Sequence, residues 1–209
     1  MNKLRITNDF LPEKEYFKEE TEKTQIVLHH TVSSGTGKSV RDWFMQLSGR
    51  VAVPFVIDKF GNILCLFEPK YWAYHLGLTT ADNLACNKKT IGIEIVNEGI
   101  LSRESVGKDV IYKWTFGKFF GKVKQLPELW RGSYFYADYR PEQVIAVAEL
   151  CKKLCFDFNI PKNVLGTFDY SKDYHNYNGI IGHCNVRADK SDISPAFNYD
   201  LFKEVLLND

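Results

Sequence analysis

Cysteine is scarce and unpaired in this 209-residue chain: Cys65, Cys86, Cys151, Cys155 and Cys184 are odd in number and show no CxxC spacing. That pattern excludes a disulfide framework and a cysteine-only zinc site and leaves free thiols as the expectation. Cys151 and Cys155 stand four apart in a helical pattern, as small buried side chains do. Charge of one sign is also missing. With 27 basic and 26 acidic side chains the formal net charge is +1, so no long-range field points to nucleic acid or an anionic membrane as partner. No apolar run approaches the roughly 20 residues of a membrane span. Even Val51 to Ile57 is short and contains Pro54. From Met1 to Glu20 charged and apolar residues alternate without an apolar core, so no signal peptide is expected and synthesis is cytosolic.

What is present describes an ordinary soluble chain. Composition that is 44% apolar and 25% charged fits one domain burying roughly 70% of its unfolded surface. Aromatic residues make up 14% of the chain, enough for a large core and for a surface that binds carbohydrate or peptide. Residues 1–24 read as a charged lead-in and 25–209 as a single domain. Gln25 to His30 is an apolar run consistent with a central strand that ends in histidines. Ser39 can cap a helix through Leu47, with Val40, Trp43, Phe44 and Leu47 on one face. Val51 to Ile57 and Ile63 to Phe67 read as a hairpin about a Lys59–Asn62 turn, and Thr90 to Val96 as the next strand. From Val144 to Phe158 apolar residues recur at three and four positions after Pro141, the clearest helix in the chain. Strands interleaved with helices predict an α/β fold in which helices flank a mixed central β-sheet. Gly99 to Arg140, rich in aromatics and lysine, reads as an insertion on that core.

Three groups of residues could carry chemistry. His29 and His30 close a strand, His183 follows Gly179-Ile-Ile-Gly182, and Asp192 lies nine residues further on. Two imidazoles and a carboxylate from separate segments can fill three positions of a tetrahedral Zn²⁺ site and leave the fourth for water, although a lone strand histidine is often structural. Adjacent strand side chains face opposite ways, so His29 and His30 cannot easily bind one ion. In Ile91-Gly-Ile-Glu-Ile95 alternation puts Gly92 and Glu94 on one face of an apolar strand. A carboxylate there needs a donor, a nearby cation or a raised pKa suited to general-base work, unless the strand end simply reaches solvent. Lys190, two residues before Asp192, could stabilise a developing oxyanion or be a solvated loop charge. His75 could orient substrate or be a satisfied buried histidine.

In order along the chain, these segments resemble the zinc-dependent N-acetylmuramoyl-L-alanine amidases of the type-2 class, which include phage lysozymes, muropeptide-recycling amidases and peptidoglycan recognition proteins. The resemblance is carried by Val27-Leu-His-His-Thr31, Phe55-Val-Ile-Asp-Lys-Phe-Gly61, Ala73-Tyr-His-Leu-Gly77, Asn87 ahead of Ile91-Gly-Ile-Glu94, and Gly182-His183 leading to Ser194-Pro-Ala-Phe197. It runs from about Gln25 to Phe197 and is loose through the insertion. It implies that His29, His183 and Asp192 bind Zn²⁺, with Asp192 at a place that is cysteine in some members. It further implies that Glu94 is the base for the attacking water and Lys190 the cation that steadies the tetrahedral intermediate. Phage lysozymes carry a catalytic tyrosine where this chain has Val53 and Pro54, so Glu94 is expected to do that work. By the same resemblance, the bond cut would be the lactyl amide between muramic acid and the first L-alanine of peptidoglycan. His75, Asn87, Trp114 and Trp130 are the substrate-binding candidates, with Tyr134 and Tyr136 as further stacking surfaces unless they only pack a lid. A monomeric lytic enzyme that reaches the wall once the membrane is permeabilised is the favoured role. A cytosolic recycling amidase and a binding module without turnover are the rivals.

Overall fold

The computed structural model describes residues 4–103, 111–113 and 117–208. In chain order its elements are β1 (Ile6–Asn8), β2 (Gln25–His30), α1 (Gly37–Phe44), β3 (Phe55–Ile57), β4 (Ile63–Cys65), α2 (Asn83–Lys89) and β5 (Thr90–Ile95). There follow β6 (Ile100–Arg103), β7 (Ile111–Lys113), β8 (Val123–Trp130), β9 (Ser133–Ala137), α3 (Pro141–Asp157), β10 (Gly179–Gly182), α4 (His183–Val186) and α5 (Tyr199–Leu207). Six strands form one sheet in the order β1-β4-β3-β5-β2-β10. Only the β3–β4 hairpin is antiparallel. This is the expected α/β architecture, a mixed central sheet with flanking helices.

The centre of the sheet follows from its sequence. β2 and β5 are continuous apolar runs because both of their faces are covered. One face sends Ile26, Leu28, Ile91, Ile93 and Ile95 against the stripe of α3 formed by Val144, Val147, Leu150, Cys151 and Leu154, together with Phe202 and Leu206 of α5. The opposite face carries Val27, His29, Gly92 and Glu94, and α1 packs beside it through Val40 and Phe44 on Val56. Alternation therefore separates the two histidines. His30 turns to the α3 side, where its Nδ1 lies 2.8 Å from the Tyr139 hydroxyl, and His29 faces the other way. All five cysteines are free and buried.

Two local expectations change, and two segments take on structure that the sequence left open. Thr36, not Ser39, caps α1: the Thr36 hydroxyl accepts from the Ser39 backbone N–H at 3.2 Å, and Ser39 Oγ accepts from the Thr36 N–H at 2.8 Å. Ser39 is the reciprocal member of a capping box, and Leu47 lies past the helix end. The strand expected from Val51 begins only at Phe55, because Pro54 has no N–H to give a ladder. Residues before Gln25 supply β1, which pairs in parallel with β4 and extends the sheet at its edge. The described residues of the stretch expected to be an insertion form an antiparallel sheet, β7-β6-β9-β8. It joins the main core through Leu126 and the fully buried Tyr136. No helix among the described residues is long and apolar enough to cross a membrane.

Candidate metal centre and active site

The carboxyl end of the central sheet brings the candidate ligands together. His29 is next to last in β2, and Gly182 at the end of β10 pairs with Leu28, so the residue after each strand partner places His183 beside His29. The turn into α4 is held by the fully buried Asn185. Its Oδ1 accepts from the Gly182 N–H at 2.8 Å, and its Nδ2 donates to the carbonyls of Thr167 and Asp169. Asp192 returns on the loop after α4, where its carbonyl accepts from the Cys184 N–H.

The three side chains meet as a triangle. His29 Nδ1 lies 3.1 Å from His183 Nδ1 and 3.2 Å from Asp192 Oδ2, and His183 Nδ1 lies 3.0 Å from the same oxygen. All three residues are buried. The outer nitrogen of His183, Nε2, donates to the Leu76 carbonyl at 2.9 Å. A carbonyl only accepts, so Nε2 carries a proton and Nδ1 is the nitrogen turned to Asp192. Burial, then the neighbouring His183, push the His29 imidazole down to about 4. Burial opposes ionisation of Asp192, but the two imidazoles outweigh it and hold the carboxyl well below its ordinary range. Neutral imidazole and ionised carboxylate are the forms a metal needs. Ligand atoms at about 2.0–2.1 Å from a tetrahedral Zn²⁺ stand about 3.3 Å apart, close to the triangle observed. Donor types, spacing and charge all fit that ion.

A cavity of about 1020 Å³ opens over the triangle. Glu94, paired with His29 across the β2–β5 register, lines it. Its Oε2 is buried without a hydrogen-bond partner. Burial first, and then Asp192, push the Glu94 carboxyl up to about 8, with Lys190 pulling the other way. Lys190 lines the same cavity. Gly92 is needed next to this carboxylate, because a Cβ there would lie 2.6 Å from Val53 Cγ1 and 3.0 Å from His75 Nδ1. Val53 itself presents hydrocarbon to the cavity, at the place where a catalytic tyrosine was expected to be missing.

The substrate-binding candidates fare differently. His75 reaches the cavity wall, but both ring nitrogens are engaged, Nδ1 with His29 Nε2 at 2.9 Å and Nε2 with Thr90 Oγ1 at 2.8 Å. Asn87 is fully buried and does not line this cavity. Its Oδ1 accepts from the N–H groups of His75 at 2.7 Å and Leu76 at 3.1 Å. Trp130 packs edge-on against Tyr136 and Phe168, away from the cavity. Tyr136 is enclosed and Tyr134 is exposed elsewhere. Trp130 and Tyr136 pack onto the main core, which sequence spacing could not reveal. Trp114 lies outside the described residues. Among the aromatic side chains that line the cavity, Phe44 is buried, whereas Trp43 of α1 is 53% exposed. Its helical spacing with Val40 and Phe44 disguised it as core.

A family model described as N-acetylmuramoyl-L-alanine amidase matches residues 20–195. No curated protein matches the sequence. Among solved structures, a mutant endolysin from Bacillus subtilis superposes with a TM-score of 0.57 at 14% identity, covering 97% of this chain and 99% of its own. The N-acetylmuramoyl-L-alanine amidase LysC from Clostridium intestinale gives 0.57 at 16% identity, with 97% of each chain covered. An AmpD selenomethionine derivative gives 0.57 at 16%, covering 96% of this chain and 94% of its own. At such identities the likeness shows a shared fold.

Proposed function

The chain belongs to the N-acetylmuramoyl-L-alanine amidase family, and from that premise we propose that it is a Zn²⁺-dependent, monomeric lytic enzyme that cuts the muramic acid to L-alanine amide in intact peptidoglycan. The observation that carries this reading is the convergence of His29 Nδ1, His183 Nδ1 and Asp192 Oδ2 at the floor of a cavity that also holds Glu94. We read residues 25–209 as one catalytic domain. Ile100, at the root of the second sheet, lines the cavity, so the insertion at about 99–140 adds wall to the substrate face. That larger face supports a polymeric substrate over a small soluble one.

His29, His183 and Asp192 would hold the ion. Bound there, Zn²⁺ polarises the amide carbonyl and lowers the pKa of water from about 15.7 towards 7. Glu94 removes a proton from the water whose oxygen attacks the lactyl carbonyl carbon. As the carbon–nitrogen bond breaks, Glu94 passes that proton to the alanine nitrogen, which leaves as a free amine. A carboxyl near 8 without metal falls when a cation sits beside it, which brings Glu94 close to neutrality, where it can both take and give a proton. Lys190, on the cavity wall, faces the charge that develops on the carbonyl oxygen. Val53 and its apolar neighbours keep the carboxyl desolvated.

Turnover on purified sacculi and on soluble muropeptides tests the reading. Release of stem peptide from intact sacculi is the expected result. Activity confined to the soluble substrate would give the recycling role instead, and tight binding with no product would give a recognition module.

A further inference from the structure

The loop holding His75 and Leu76 touches the outer nitrogens of the two candidate histidine ligands: the Leu76 carbonyl takes the proton of His183 Nε2, and the His75 ring meets His29 Nε2. The buried Asn87 pins the backbone N–H groups of both loop residues with one side-chain oxygen. The contact to His29 is one link in a longer chain of hydrogen bonds whose direction can be worked out. At its far end is the Asn87 carbonyl, 3.3 Å from Thr90 Oγ1. A carbonyl only accepts, so the single hydroxyl hydrogen of Thr90 points to it and a lone pair of Oγ1 is left for His75. His75 therefore carries its proton on Nε2, donated to Thr90 at 2.8 Å, and has a bare Nδ1. That nitrogen can only accept, and at 2.9 Å it takes the Nε2–H of His29. His29 is left with a bare Nδ1, pointing at His183 Nδ1 and Asp192 Oδ2.

Resting on the Zn²⁺ reading above, we propose that His75 is a positioning residue for the metal centre: the relay Asn87 carbonyl, Thr90 hydroxyl, His75, His29 selects the one tautomer of His29 that can ligate through Nδ1. The consequence for the centre is electrostatic. Three potential ligand atoms, one of them on an ionised carboxylate, converge within 3.2 Å, a cluster that favours a cation among them. The relay also accounts for Gly92, since a Cβ there would press on His75 Nδ1. Partners that orient a ligating histidine in this way are worth 10–100-fold in metal affinity, roughly.

Two readouts test it, neither of which is turnover. In the metal-free protein at neutral pH, ¹H–¹⁵N spectra of the imidazoles should show His29 protonated on Nε2 in the wild type. Competition with a chromophoric chelator then gives the Zn²⁺ affinity. His75→Phe should weaken it by about 10–100-fold and allow Nδ1–H to appear on His29. His75→Asn, whose amide oxygen takes the place of Nδ1 as an acceptor, should restore most of the affinity and the Nε2–H form. Thr90→Val, nearly isosteric and so a safeguard if His75→Phe misfolds, should give mixed tautomers and intermediate affinity. Wild-type affinity in both His75→Phe and Thr90→Val, or Nδ1–H on His29 in the wild type, overturns the proposal. Failure of the wild type to bind Zn²⁺ overturns the metal reading, and the tautomer spectra still decide the relay.

Discussion

Glu94 and His29 are register partners across β5 and β2, with both side chains on the face opposite α3. That pairing sets the spacing between the proposed base and the proposed ligand through the backbone hydrogen bonds of two central strands. The loop that carries Asp192 and Lys190 completes the site from above.

Glu94→Gln keeps the shape and removes the proton acceptor. Turnover is expected to fall by about 10²–10⁴-fold while Zn²⁺ stays bound one to one. Steady-state rates and metal analysis of the same preparation check both halves.

Asp192→Ala removes the only anionic member of the triangle, and the Zn²⁺ content of the purified protein is expected to drop well below one per chain. Asp192→Cys offers a thiolate, a competent Zn²⁺ ligand at about 2.3 Å, and should retain metal. Equal metal content in the alanine variant and the wild type would remove Asp192 from the ligand set.

Trp43 is half exposed over the cavity, so Trp43→Ala should cost little stability. A lost stacking contact of about 1 kcal/mol would raise KM for peptidoglycan about fivefold and leave kcat unchanged, with Trp43→Phe recovering much of it. Initial rates across substrate concentration make the distinction.

Lys23 sets a pH dependence of stability. Its Nζ donates to the Lys88 carbonyl at 2.7 Å, and burial, opposed in part by Glu19, pulls its pKa down to about 7. The folded chain then binds fewer protons than the unfolded one between about 7 and the ordinary lysine value near 10.4. Stability from this group therefore rises with pH through that window and is lost as pH falls towards 7. Melting temperatures at pH 7 and 9 should rise more in the wild type than in Lys23→Met.

Much of the frame was legible in the sequence because it rests on local pattern. β2, β5 and α3 announce themselves by continuous apolar runs or a 3.6-residue stripe, and alternation alone separated His29 from His30. The positions that escaped are those decided by contacts distant in sequence. Asn87 is an anchor for the His75–Leu76 loop because its side chain folds back twelve residues. Trp130 turned inward because β8 pairs with β9, which sets it against Tyr136 and Phe168 on the main core. Trp43 faces the cavity although it shares helical spacing with buried neighbours. Which ring nitrogen of each histidine points inward is set by acceptors 46 and 107 residues away, beyond the reach of any spacing rule.

Anomalous diffraction at the zinc edge, from crystals grown with one equivalent of Zn²⁺, tests the ligand triangle most directly. A single strong peak about 2.0–2.2 Å from His29 Nδ1, His183 Nδ1 and Asp192 Oδ2 is expected. A peak elsewhere, or no peak with those three side chains in place, would contradict the account.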